Sequence, residues 1–377
     1  MFGPVQGLIG GIWHYIVPFL LMITPIVFFH ELGHFLMARA CGVRVDTFSI
    51  GFGPAIASWH DRTGTRWKIA WIPLGGYVKF FGDENAASVP NREQLDSLPE
   101  NERQATFPLK PLYQRALIVA AGPAANFVLA IIILAAFLIA FGTNVAAPQV
   151  GGVEPHSPAA AAGFRKGDTI LALNGSPIKG FEEIRALIWD KAGQTLTVNI
   201  RRGSRTLVLH ATPRLTAINV AGGPQKIGFL GIEAPPPSQW KHVGYGFFPA
   251  FGEACSETWN IVTTTLDQLG HIFSSGQKAA QLSGVIGIAK LSGDVAAVSW
   301  LGLFQLAALI SISLGLVNLF PIPILDGGHL LYYGFEAVLG RPLGARAQDV
   351  GFRLGLAAMV GLMLLAAWND LVRLNLF

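Results

Sequence analysis

The sequence predicts a polytopic α-helical membrane protein: four transmembrane helices, a membrane-associated β-rich loop, and one α+β domain outside the membrane. Three observations carry that prediction. Only 13% of the 377 residues are charged, about half the share usual in soluble globular chains, and mean hydropathy is positive at +0.47. Four apolar runs, 13–37, 116–141, 295–320 and 350–368, are each long enough to cross a hydrocarbon core, which takes roughly 20 helical residues. Between the second and third runs the composition changes to the alternating, turn-rich pattern of a folded soluble domain.

No Lys or Arg precedes Trp13, and the first run is longer than the apolar stretch of an ordinary signal peptide, so it is expected to stay as a span. Arg39 and Arg44 follow it, Lys110 and Arg115 precede the second span, and Arg341, Arg346 and Arg353 lie between the third and fourth. Basic residues mark cytoplasmic loops. Both termini are therefore expected outside, with loops 38–115 and 321–350 inside. The formal net charge of +4 then reads as membrane topology, and no basic patch suggests nucleic acid. Cys41 and Cys255 fall on opposite sides in this arrangement, which argues against a disulfide between them and for packing roles. The expected organisation is a first transmembrane helix at 1–40, a β-loop region at 41–112, a second helix at 113–144, and the outer domain at 145–235. An amphipathic membrane-surface region follows at 236–294, then a third transmembrane segment at 295–330, and a loop and fourth helix at 331–377.

The first run contains Phe29-His30-Glu31-Leu32-Gly33-His34. Histidines four apart put both imidazoles on one helix face, aimed at one point. Neutral imidazoles are zinc ligands, and the carboxylate beside the first one is placed to move a proton on or off an attacking water. Ionisable groups in an apolar run cost several kcal/mol, with about 2.5–3.5 the lowest figure for one charge at a span centre. That cost favours a functional site over a polar helix end at the headgroups.

A catalytic zinc site takes three protein ligands. Two soluble arrangements of the third are excluded: Met37 stands where a third-histidine pattern requires Gly, and no Glu occurs between Glu31 and Glu84. The well-placed carboxylate is Asp326, in Asn318-Leu319-Phe320-Pro321-Ile322-Pro323-Ile324-Leu325-Asp326-Gly327-Gly328. The prolines break the helix, and irregular chain at membrane depth is tolerated where it lines a cavity. An interfacial Asp capping a helix start is the other reading.

With these two motifs in this order, the chain resembles the site-2 protease family of intramembrane zinc metalloproteases, in its regulator of sigma E protease branch, over nearly its whole length. The resemblance implies that His30, His34 and Asp326 bind one zinc ion and that Glu31 is the catalytic acid/base. It links Asn318 and Pro321 to substrate handling. The family's second-span motif is matched by Gly122-Pro123-Ala124-Ala125-Asn126. Close helix packing is its main expected role, with Asn126 able to hydrogen-bond toward the site.

Residues 43–82 read as short strands and hairpins, with a turn at Gly75-Gly76. The resemblance implies that part of this loop re-enters the membrane and pairs with substrate as an added strand. A domain merely packed on the membrane fits the pattern equally. In the outer domain, Ser157-Pro158-Ala159-Ala160, Gly167-Asp168-Thr169-Ile170 and Asn174-Gly175 resemble a bacterial PDZ domain. Its groove would accept an extended peptide tail. There is room for one such domain, where some members carry two in tandem. Residues 240–294, with Phe247, Phe248, Phe251 and Trp259, are expected as helices along the outer membrane surface.

The resemblance implies a bacterial inner-membrane enzyme, with both termini and the PDZ domain periplasmic. Its substrates would be single-span membrane proteins already cut outside the membrane, of anti-sigma factor type, or leftover signal peptides. Two rivals stay open at this point: a membrane scaffold with an idle metal site, and a metal transporter using the same three ligands.

Overall fold

The computed structural model describes residues 3–82, 99–275 apart from 179, 190, 221 and 222, and 284–373. Parts of the expected β-loop and surface regions, 83–98 and 276–283, lie outside the described residues. The chain divides into two units, residues 1–136 with 250–377, and residues 137–249.

In the first unit, helix α1 (Gly3–Ala40) begins well before the apolar run that predicts it. It ends on Gly42, whose φ of 69° supplies the left-handed residue of a helix stop. The Gly42 and Val43 N–H groups donate to Arg39 and Ala38 carbonyls at 3.0 and 2.8 Å. Strand β1 (Val45–His60) then pairs antiparallel with β2 (Arg66–Phe80). Thr47, Phe48, Ser49 and Ile50 are flanked on both sides, by Lys79, Val78, Tyr77 and Gly76 and by Arg66, Trp67, Lys68 and Ile69. Val45, Phe48, Val78 and Phe80 are buried with Phe35 and Ala38 of α1. The other half of the hairpin is open, with Phe52, Ile56, Trp59, Trp71 and Ile72 exposed.

Helix α2 (Leu112–Phe141) continues straight through Pro123 and adds Ile118 and Val119 to the same core. It crosses α1 at Gly33, where a Cβ would lie 2.2 Å from the Ala121 carbonyl oxygen. Glycine is therefore the residue that lets the two backbones meet.

The second unit is α/β. Strands β3 (Thr143–Val145) and β12 (Lys241–Val243) pair, as do β4 (Gly152–Val153) and β11 (Ile232–Glu233). A four-stranded antiparallel sheet runs β6 (Ser176–Pro177), β5 (Thr169–Leu173), β7 (Leu196–Arg202), β8 (Arg205–Ala211). Helix α3 (Phe181–Trp189) covers it, burying Phe181, Ile184 and Ile188 on Leu196, Val198 and Ile200. The last three alternate, as a one-sided strand requires. Strand β9 (Arg214–Val220) pairs with β10 (Gly223–Phe229). Between β10 and β11, Gly231 turns the chain at φ 83°.

Back in the first unit come α4 (Phe247–Ser275), α5 (Val285–Val298), α6 (Trp300–Asn318), α7 (Asp326–Leu339) and α8 (Ala345–Arg373). The apolar run 295–320 differs from expectation: it is two helices. Ser299 is extended and its side chain accepts the Gly302 N–H, so it caps α6. Helix α4 has one face packed on other helices. Its small-residue stripe buries Ala250, Ala254 and Thr258, and Ile261 and Val262 pack on Ala130 and Ile312, well inside two apolar helices. Phe247, Phe248, Phe251 and Trp259 stay exposed. Helix α8 packs Gly351 on the Tyr332 hydroxyl and Gly355 on Pro323, and Asp370 accepts the Gly284 and Gly287 N–H groups at 3.0 and 2.8 Å. Four helical stretches, Trp13–Ala40, Leu112–Phe141, Trp300–Asn318 and Arg346–Val372, are long and apolar enough to span a membrane.

The second unit is tied by Asp168, buried, which accepts from Arg202 Nε and Nη2 at 2.7 Å each and from the Arg165 N–H at 2.8 Å. Burial raises this carboxyl, but the Arg202 and Arg165 hydrogen bonds outweigh it and hold it below the usual carboxylate range. A depressed folded-state pKa gives stability that is present above the unfolded value, near 3.9, and lost as pH falls through the folded value. Asp168→Asn should therefore cost about 1.5–3 kcal/mol at neutral pH. Hydrogen exchange over 150–211 in the full-length protein should show the loss at pH 7, with the wild type approaching the variant as pH drops below 4. Equal protection at pH 7 would refute it.

Candidate active site

His30 and His34 sit one turn apart on α1, and Asp326 is the first residue of α7. The break between α6 and α7 brings them together. Gly327 and Gly328 seat the start of α7 on backbone: a Cβ on either would lie 2.3 Å from a carbonyl oxygen, of Leu319 and Phe320 in one case and Ile322 in the other. Asp326 Oδ2 thereby lies 3.3 Å from His30 Nε2 and 3.6 Å from His34 Nε2, and the two Nε2 atoms are 3.3 Å apart.

These separations fit a metal ion. Ligand bonds of about 2.0–2.1 Å in a tetrahedron give edges of about 3.3–3.4 Å. The proton positions agree. His34 Nδ1 is 2.9 Å from the Ile118 carbonyl oxygen, which can only accept, so Nδ1 carries the hydrogen and Nε2 presents a lone pair. His30 Nδ1 lies 3.2 Å from the Asn126 side-chain amide, whose Oδ1 is buried without a hydrogen-bond partner. Amide oxygen and nitrogen are interchangeable in shape. With the amide turned over, its oxygen accepts from His30 Nδ1 and a second Nε2 lone pair faces the centre. Two lone pairs and a carboxylate oxygen converging in an apolar bundle repel one another unless a cation lies between them. His30, His34 and Asp326 thus form a cluster consistent with a zinc site.

The other expected residues are placed as follows. Glu31 is next to the hairpin: a Cβ on Gly76 would lie 3.1 Å from Glu31 Cγ, and the Val78 backbone N–H is directed at its carboxylate. Gly75 takes φ 120° and abuts the Phe52 ring. Asn318, the last residue of α6, has its amide nitrogen 3.5 Å from His30 Nε2. Pro321 is exposed in the non-helical run before α7. Asn126 is fully buried.

Three contributors have no signal in the motif itself. The Ile118 carbonyl orients His34, the Val78 N–H meets Glu31, and Gly122 leaves room for the His34 ring, where a Cβ would lie 2.2 Å from Nε2. Only Gly122 was findable, as the leading glycine of a stretch of small residues.

The model of peptidase family M50 matches residues 18–362. The chain belongs to peptidase family M50. Among its M50 relatives, a candidate zinc metalloprotease of Agrobacterium fabrum is 42% identical over 364 residues, 96% of this chain and 97% of the relative. Metalloprotease MmpA of Caulobacter vibrioides is 42% identical over 385 residues, 96% of each chain. A PDZ domain of an SdrC-like protein from Listeria monocytogenes is 29% identical, covering 23% of this chain and 84% of that one, at a TM-score of 0.19. As a member of M50, the protein is a bacterial, multi-pass zinc metalloendopeptidase, and family membership implies membrane-protein substrates.

Gly122→Ala is expected to weaken zinc binding by roughly tenfold or more, because the added Cβ must push the His34 ring aside. Chelator competition on the purified variant checks this. Wild-type affinity in the folded variant would show that the His34 ring does not depend on that space.

Proposed function

We propose that this M50 peptidase cuts single-span membrane proteins within the bilayer, as the second cleavage of regulated intramembrane proteolysis. The observation that carries the reading is the convergence of the His30, His34 and Asp326 donor atoms, at tetrahedral separations, beside Glu31 on an apolar helix. In this reading the three residues hold one Zn²⁺, and Asn126 orients His30. Bound there, zinc supplies a Lewis acid that acidifies water and polarises the scissile carbonyl. Glu31 takes the proton from the attacking water and returns it to the leaving nitrogen. Asn318 stands beside His30 with an amide able to donate to the substrate carbonyl, and Pro321 keeps the chain after α6 irregular around the substrate.

A transmembrane helix hides its peptide bonds in its own hydrogen bonds, so a cut requires an unwound segment with another backbone to pair with. The hairpin supports that role because Gly75, Gly76 and Val78 place extended chain next to Glu31. Its open half, with Trp59 and Trp71, suits contact with lipid.

The domain boundaries and topology follow the same reading. The α/β unit at 145–235 is a periplasmic PDZ domain, both termini are periplasmic, and the enzyme sits in the inner membrane. A groove of about 340 Å³ between α3 and the β10–β11 segment, lined by Ile184, Ile188, Phe229 and Ile232, supports binding of an extended peptide tail. Bulky ectodomains would be excluded until a first cleavage outside the membrane removes them. The substrates are of anti-sigma factor type, released in an envelope stress response, or signal-peptide remnants.

Glu31→Gln should keep its zinc and lose cleavage of a model single-span substrate in detergent or liposomes by about 10²–10⁴-fold. Asp326→Ala should lose both zinc and activity, measured by metal analysis beside the cleavage assay. Full cleavage by Glu31→Gln would refute the reading. Zinc flux into liposomes without proteolysis would replace it with a transporter.

A further inference from the structure

Helix α2 carries none of the three metal-site ligands, yet it touches what positions all of them. Its Ile118 carbonyl fixes His34, and its Asn126 amide meets His30. The third connection is at its first turn. Arg115 Nη1 and Nη2 donate to the two carboxylate oxygens of Glu336 on α7, at 3.2 and 2.5 Å. Arg115 Nε donates to the Lys110 carbonyl at 3.0 Å, and the guanidinium lies 4.9 Å from the centre of the Tyr333 ring. Both side chains are largely buried, 15% and 17% exposed.

We infer that the Arg115–Glu336 pair is a positioning device that aims α7, and through it Asp326, at the two histidines. The inference rests on the zinc-site reading above. A helix is fixed in direction by two separated contacts. The first is the Gly327–Gly328 seat on the 319–322 backbone. The second is the Arg115 fork on Glu336, eight to nine residues and about 12–14 Å further along the axis. Leu330 and Tyr333, on the turns between, pack against the core formed by α1, the hairpin and α2. A tilt of α7 about the glycine seat turns the Asp326 Cα–Cβ direction by the same angle and so re-aims its carboxylate. Apolar contacts slide, whereas a bidentate guanidinium–carboxylate pair fixes angle as well as distance. Removing charge from water for a pair of this kind is costly, and its best-attested return is conformational specificity.

The test uses the full-length protein in detergent, with Co²⁺ as a spectroscopic replacement for zinc. Wild type should bind Co²⁺ with the visible absorption of a four-coordinate site. Glu336→Gln should bind it roughly tenfold more weakly, with an altered spectrum and wild-type helix content. The exchanged pair Arg115→Glu with Glu336→Arg should restore affinity to within about threefold and restore the spectrum. Arg353→Ala, which breaks the exposed pair with Asp349 on α8, should change neither. A folded Glu336→Gln protein with wild-type affinity and spectrum would overturn the inference, as would an exchanged pair that folds but stays as weak as the single variant. Wild-type protein that takes up no Co²⁺ would overturn the metal reading itself, and this inference with it.

Discussion

Two imidazole lone pairs and a carboxylate oxygen held within 3.3–3.6 Å of one another are the constraint on which the arrangement of the first unit depends. In an apolar surrounding such donors cannot be satisfied by water and repel one another. The protein fixes them from behind. Each Nδ1 is directed at α2, and Asp326 is carried on a helix whose start is pressed onto backbone. The glycines follow from this demand. Gly33 lets α1 meet α2, Gly122 lets the His34 ring lie flat, and Gly327 and Gly328 let α7 begin against carbonyls. None of these positions accepts a Cβ without displacing a ligand or the helix that carries it.

The same crowding explains why Glu31 faces the hairpin. With both histidines turned toward α2 and α7, the residue beside His30 points to another side of α1, where Gly76 and Val78 meet it. A proton-moving carboxylate and an extended backbone are thus neighbours. For a protease whose substrate must first be unwound, that neighbourhood matters as much as the metal ligands.

Much of this was legible in the sequence because it rests on local spacing. The i, i+4 spacing of His30 and His34 settles their common face, and runs of about 20 apolar residues settle the spans. Asp326 was legible for another reason: among the nearby carboxylates it alone follows a proline-broken span. The rest depends on contacts that leave no local trace. Any residue has a backbone carbonyl, so Ile118 cannot be picked out. Ser299 interrupts a run whose hydropathy hardly changes, and the break between α5 and α6 was missed. Helix α4 read as a surface helix because of Phe247, Phe248, Phe251 and Trp259, which stay exposed, while Ala250, Ala254 and Thr258 among them are small. The same small residues allow close burial against other helices.

Zinc-edge X-ray absorption of the purified protein reads the donor set itself. It should show a four-coordinate shell of nitrogen and oxygen at about 2.0–2.2 Å containing two imidazoles, falling to one imidazole in His34→Ala. A sulfur-containing shell, or a shell unchanged by that substitution, would contradict a zinc site built from His30, His34 and Asp326.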